Sequence, residues 1–266
     1  SEATPYTMEG AGTALDPYQI TNVAQLQTMI YGLDKNYILM NNINADIAGY
    51  NTGEGFVPIG NWSNPPSTLF MGNFDGNSHA ITGLTINLPA ESDVGLFGVV
   101  LDVGVIRNVG LVGADIHGNN NVGGLVGYAS NATELSNSYV INSHVHGAGD
   151  QIGGLAGYAQ LINPISNSYA TGTVIGNQYV GGLVGYSGST ITSSYADVTA
   201  TGYSHVGGLV GFAQGSINDS YALGDVSAGS YGGGLVGQGI NEVTRCYASG
   251  TIAGGDTLGG LIGHIL

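Results

Sequence analysis

The chain has 266 residues, of which 48 are Gly, and 8% of it is charged, about a third of the usual ~25%. Lys35, Arg107 and Arg245 are the three cations against 18 Asp and Glu, for a net charge of −15. Three scattered cations cannot neutralise a phosphate backbone or hold an anionic membrane surface, which excludes nucleic-acid binding and electrostatic membrane binding. No apolar run reaches the ~18 residues of a bilayer span, so no membrane insertion is expected. The lone Cys246 excludes an internal disulfide. Strong acidity, little Lys and abundant Asn, Ser, Thr and Tyr point to an extracellular, cell-surface setting. Ser1 begins the chain without a start Met or a signal-like stretch, as a mature or trimmed chain would.

In chain order, the first element is a helix. Asn22 to Leu33 places Val23, Leu26, Met29, Ile30 and Leu33 at helical spacing, with Asn22 as N-cap. Residues 1–90 are read as an N-terminal cap with irregular first coils, covering the open end of a repeat array.

From residue 91 to 266 the chain repeats. Val122-Gly-Gly-Leu-Val-Gly-Tyr128 returns at 152–158, 180–186 and 206–212, with weaker copies at 232–238 and 258–264. The shared leucines 96, 125, 155, 183, 209, 235 and 261 are spaced by 29, 30, 28, 26, 26 and 26 residues. A second block comes after each: Ser138-Tyr139, Ser168-Tyr169, Ser194-Tyr195, Ser220-Tyr221 and Cys246-Tyr247. A third centres on Ile116, Val145, Val174, Ala200, Val226 and Ile252. Three short extended segments between Gly, Asn, Ser and Asp turns make one coil of about 26–30 residues. The fold class is therefore all-β: a parallel β-solenoid with a short N-terminal capping helix. Leu is expected to form an inward ladder, Ser/Cys a tight buried column, and the adjoining Tyr an outward one. The Gly-Gly blocks stay ambiguous, because both alternation phases are apolar: one face is buried against another surface, or a bend lets both point in. Their glycines serve positive φ or close approach.

These residues resemble the GLUG repeat of bacterial and archaeal cell-surface, adhesin-like proteins: Gly-Gly-Leu-Val-Gly-Tyr followed by Ser-Tyr-Ala. Gly12-Thr13 through Ile20, Val57-Pro58-Ile59-Gly60 and Phe70 to Ile86 resemble the segments that open such proteins. The resemblance implies a secreted surface or adhesin-like protein, or an accessory region of a secreted peptidase. It implies no catalytic residues, and no cofactor.

The chain carries no His-Glu-x-x-His and no Gly-x-Ser-x-Gly motif. Cys246 falls in the Ser column, as a structural thiol. Arg107 and Arg245 lie too many coils apart to converge, and Asp75 in Phe-Asp-Gly-Asn reads as a turn residue. The chain is thus read as not an enzyme. One constellation stands out: Asp115, His117, His144 and His146 occupy matching places in adjacent coils and would project outward as a candidate surface site for Zn, Ni or Cu. Otherwise they form a polar ladder. Calcium at Glu91, Asp93 and Asp102 lacks a loop of known spacing. Tyr139, Tyr169, Tyr195, Tyr221 and Tyr247 form the candidate partner surface, to stack on sugars or pack on a protein. Tyr128, Tyr158, Tyr186 and Phe212 form a second aromatic column. Sequons at Asn61, Asn131 and Asn218 are weak signals in so Asn- and Ser-rich a chain.

The expected function is a non-catalytic structural and adhesive rod, touching cell-surface glycans or proteins, or other copies of itself through its solenoid ends. The last coil stops at Leu266 without a cap-like sequence, as in a fragment or an end that meets a partner. The alternatives are a specific polysaccharide or ice binder and a polysaccharide-degrading enzyme. The mixed column Thr173, Thr199, Asp225, Thr251 counts against ice.

Overall fold

The computed structural model describes residues 7–62, 69–132, 134–160, 164–239 and 242–265. Ser63 and Thr133, which complete two sequons, and Leu266 lie outside the described residues. The chain winds as a parallel β-solenoid with three sheets of nine, sixteen and seven strands. Among the described strands every pairing between successive coils is parallel, with one register shift between Val140 and Ser143; in the seven-stranded sheet Val126, Ala156, Val184, Val210, Val236 and Ile262 form one column. The nine-stranded sheet starts at Tyr18–Ile20 and passes through Asn36–Leu39 and Asn73–Asp75. The first 90 residues therefore contribute strands to the same stack.

The N-terminal helix is shorter than its apolar pattern. Val23–Thr28 is α-helical, Met29–Tyr31 tightens to 3-10, and the turn ends at Gly32. Asn22 caps it, its Oδ1 accepting from the Gln25 amide at 2.9 Å, while Gln25 Oε1 accepts from the Thr21 amide at 2.8 Å. Val23, Leu26 and Met29 bury against the first coils, beside Phe56, Phe70, Phe74 and Phe97.

The inward columns match the repeat. Leu96, Leu125, Leu155, Leu183, Leu209 and Leu235 are fully buried, and Leu261 is half-buried. Ile116, Val145, Val174, Ala200 and Val226 line a second column. The ambiguous Gly-Gly blocks resolve as a bend: Val122 belongs to the sixteen-stranded sheet and Val126 to the seven-stranded one, and both are buried with Leu125 between them. Close approach explains the glycines here. A Cβ on Gly181 would lie 2.0 Å from the Val184 carbonyl oxygen, and one on Gly182 would lie 2.1 Å from the Gly208 carbonyl oxygen and 2.9 Å from Ala196 Cβ. This second contact ties the Gly-Gly block to the Ala of Ser-Tyr-Ala. Left-handed φ is found at glycines outside these blocks, such as Gly113 at +62°, and at many non-glycine residues, such as Asn137, Asn167, Ser193, Asp219 and Arg245 at φ 49 to 53°.

The small column is a hydrogen-bonded ladder. Ser168 Oγ accepts from the Ser138 amide, Ser194 Oγ from the Ser168 amide and Ser220 Oγ from the Ser194 amide, each at 3.2 Å. Each hydroxyl also donates to the carbonyl two residues before it, as Ser194 does to Thr192 at 2.9 Å. Removing one hydroxyl strands a buried amide in the preceding coil. Ser194→Ala is therefore expected to cost about 1–3 kcal/mol, the penalty of an unsatisfied buried donor. Urea denaturation measures it; a cost within error of zero would show that the ladder contributes no stability.

Candidate functional site

The Tyr column faces outward, as the alternation with Ser requires. Its rings stack nearly parallel: Tyr139–Tyr169 at 5.2 Å between centroids, Tyr169–Tyr195 at 4.7 Å, Tyr195–Tyr221 at 4.9 Å and Tyr221–Tyr247 at 4.9 Å. Interplanar angles are 13°, 4°, 3° and 6°. Each ring thus covers the face of the next. The expectation that sugars stack on these faces needs correction. The column presents ring edges and phenol groups once per coil, and its stacking ties coil to coil. Tyr247 is the most exposed, at 53%.

The second column behaves alike. Tyr128–Tyr158 and Tyr158–Tyr186 stack at 4.7 and 4.6 Å, followed by Phe212 at 5.2 Å. Burial, with Tyr186 and Tyr128 adjacent, pushes the Tyr158 phenol up to about 12. Beside it runs an aromatic column that sequence reasoning missed. Tyr179, His205 and Tyr231 stack at 5.1 and 4.8 Å, and His264, which falls in register with Gln238 at the end of the Tyr128 column, meets Tyr231 from the side at 4.8 Å. Their common place, directly before each Gly-Gly block, was the available signal; Tyr179, His205 and Tyr231 all hold left-handed φ.

Trp62 was also missed. It is 55% exposed and meets Tyr128 edge-on at 6.0 Å. It lies on a cleft of about 630 Å³ whose polar lining includes Glu54, Asn61, Glu91, Ser92 and Asp93. Burial raises the Asp93 carboxyl above its ordinary range, against the opposing effect of a 2.7 Å hydrogen bond from Asn121. An indole beside carboxylates and amides is a chemistry suited to sugar rings and their hydroxyls.

The histidine constellation sits on the outward face of the sixteen-stranded sheet. Register pairs Asp115 with His144 and His117 with His146. Asp115, His117 and His144 each place a ligand atom within 4.8 Å of the others, the one such group of three among the described residues. Glu91, Asp93 and Asp102 form no such group. His117 Nε2 hydrogen-bonds Asp115 Oδ1 at 2.9 Å, and His144 Nδ1 bonds Thr173 Oγ1 at 2.5 Å. His146 packs edge-on against His117, 5.5 Å between centroids, and burial, with His117 and His144 nearby, holds its pKa below the ordinary range.

Asp75 is the last residue of the strand Asn73–Asp75 rather than part of the turn, but its side chain caps the turn that follows, accepting from the Asn77 amide at 2.8 Å, and also binds Arg107 Nε and Asn108 Nδ2, each at 3.0 Å. Burial alone would raise its pKa; the hydrogen bonds from Asn108, Asn77 and Arg107 outweigh it and hold the carboxyl below the ordinary value. A depressed carboxyl stabilises the fold above its unfolded value of ~3.9 and loses that contribution as pH falls through the lower folded value. Asp75→Asn should accordingly shrink the stability difference between about pH 7 and pH 2, measured by urea denaturation at each. An unchanged difference would remove Asp75 from the acid transition. Burial raises the Cys246 thiol, which hydrogen-bonds the Thr244 carbonyl at 3.2 Å, as suits a structural position rather than a nucleophile.

Comparison with known proteins matches three stretches of the sequence to a family model. The GLUG motif is matched at residues 118–145, 176–201 and 202–227. Halomucin of Haloquadratum walsbyi is 36% identical over 186 residues, 66% of this chain and 2% of halomucin. A candidate Gly-rich membrane protein of Evansella cellulosilytica is 35% identical over 106 residues, 39% of this chain and 12% of that protein. The chain thus spans only a small part of the length of either relative. A crystal structure described as a candidate immunoglobulin A1 protease from Bacteroides ovatus superposes with a TM-score of 0.73 over 97% of this chain and 86% of that one, at 23% identity. That likeness concerns the fold alone.

Proposed function

We propose that this GLUG-repeat chain is a non-catalytic module of a cell-surface protein: a rigid β-solenoid that holds a glycan-contacting surface away from the cell. The observation that carries the reading is the Trp62 cleft on an otherwise ladder-built rod. Stacked tyrosines, buried Leu and the Ser ladder stiffen the stack coil by coil. The cleft supplies what the covered tyrosine faces do not, an exposed indole next to carboxylates and amides that can bond sugar hydroxyls. The surface setting is supported by the acidity, the scarcity of Lys and the likeness to a candidate Gly-rich membrane protein. Among the described residues no helix is long and apolar enough to cross a membrane.

The test is a polysaccharide panel that records bound protein and released sugar together. Binding without release is expected. Trp62→Ala should weaken it at least tenfold, and Tyr169→Phe with Tyr195→Phe should reveal any share carried by the phenol row while keeping the rings stacked. Absence of binding to every glycan would sink the adhesive reading and leave a passive stalk or a self-associating element joined through its solenoid ends. Sugar release would overturn the non-catalytic reading. A specific observation keeps that second reading in view: Glu54, Glu91 and the raised Asp93 share one cleft.

A further inference from the structure

We propose that Asp115, His117 and His144, with His146 beside them, bind one divalent late transition-metal ion across two coils of the solenoid. The backbone already fixes the array. Asp115 and His117 lie on one strand, His144 and His146 on the next, and four consecutive in-register pairs from Asp115–His144 to Gly118–Gly147 hold the strands together. Residues two apart on a strand share a face, so all four side chains emerge on one side as a two-by-two set. Three of them bring ligand atoms within 4.8 Å of one another. Tetrahedral zinc at ~2.0–2.1 Å from each ligand needs those atoms about 3.4 Å apart. Binding would then draw the farthest ligand atoms together by up to about 1.4 Å, a movement asked of the side chains.

The surroundings favour an ion. Thr173 Oγ1 engages Nδ1 of His144 at 2.5 Å, which orients the imidazole and leaves Nε2 for the metal. Across the neighbouring strands the flanking residues are Thr85 and Asn87 on one side and Thr173 and Ile175 on the other, so these partners bring no cation to the array. Imidazole with one carboxylate suits Zn(II), Ni(II) or Cu(II). It offers too few oxygens for Ca(II) and no thiolate for Cu(I). Because the ligands come from two coils, the ion cross-links them.

The same register supplies variants that the fold already accommodates. Asn87 occupies the place of His117 one coil earlier, and Thr173 that of His144 one coil later. Titration of the full 266-residue chain with zinc chloride is expected to show one ion per chain with a Kd of about 1 µM or tighter. Zinc should raise the melting temperature, and cobalt(II) should give the strong visible absorption of a low-coordinate site. The pair His117→Asn with His144→Thr should weaken zinc at least tenfold and abolish the thermal shift, whereas His79→Ala changes neither. No saturable binding up to about 100 µM would overturn the site. So would equal binding by the double variant, which would place the ion elsewhere. A far-ultraviolet circular dichroism spectrum matching the parent confirms that the variant is folded; if it is not, His144→Thr alone provides the same comparison.

Discussion

Gly182→Val is expected to cost the solenoid more than about 4 kcal/mol, an unusually large loss for one substitution. The reason is the identity of the atoms a new Cβ would meet. They are the carbonyl oxygen of Gly208 in the next coil, at 2.1 Å, and Ala196 Cβ, at 2.9 Å. A side-chain neighbour could rotate away, but a backbone carbonyl cannot. Relief would require the coils to separate, and separation would break bonds such as Gly182 N–H to Gly207 O at 3.1 Å and Leu183 N–H to Leu209 O at 2.8 Å. Gly113 provides the contrast. It holds φ at +62°, and a Cβ there would meet nothing within 4 Å. Gly113→Ala therefore carries only the left-handed penalty of about 1–2 kcal/mol. Urea denaturation of both variants measures the difference. Equal costs would mean that backbone conformation, not the approach of neighbouring coils, is what the Gly-Gly blocks provide.

The contrast marks how far the sequence could be read. A solenoid converts each spatial column into a recurring letter, so Leu125, Leu155 and Leu183, the Ser138–Ser220 ladder and the outward Tyr139–Tyr247 column were legible from spacing alone. Register also came from period, which is why Asp115, His117, His144 and His146 could be placed on one face. Side-chain torsions are not written in the period. Nothing in the repeat says that the tyrosine rings lie parallel and cover each other, or that His146 packs on His117 while Asp115, His117 and His144 bring ligand atoms together. Trp62 lies outside every repeat, and its meeting with Tyr128 arises from the irregular early coils. Tyr179, His205 and Tyr231 were overlooked for a different reason: bulky residues at positive φ run against local preference, yet the repeat holds this position left-handed in the earlier coils as well, at Asp93, Asn121 and Gln151.

Leu155→Ala is expected to destabilise the chain by about 2–5 kcal/mol, and Leu261→Ala by less than half as much. The two leucines occupy the same column and come directly after the same Gly-Gly pair, so composition and local conformation cannot separate them. Their surroundings do. Leu155 is fully buried, and its coil is bonded on both sides: the Leu125 amide donates to the Leu155 carbonyl at 3.0 Å, and the Leu155 amide to the Leu183 carbonyl at 2.8 Å. Leu261 is only half-buried, and its carbonyl accepts from Leu235 at 2.9 Å and Val236 at 3.0 Å. In a stack whose stability sums over coils and nearest-neighbour interfaces, a cavity at Leu155 weakens two interfaces, whereas one at Leu261 weakens mainly the interface to the Leu235 coil. Hydrogen exchange locates the loss. Leu155→Ala should raise exchange in the flanking coils around Leu125 and Leu183, while Leu261→Ala should leave those amides protected. If both variants lower the urea midpoint equally and exchange rises along the whole chain in each, the solenoid unfolds as a single cooperative unit. The coil-by-coil account of its rigidity would then have to be given up.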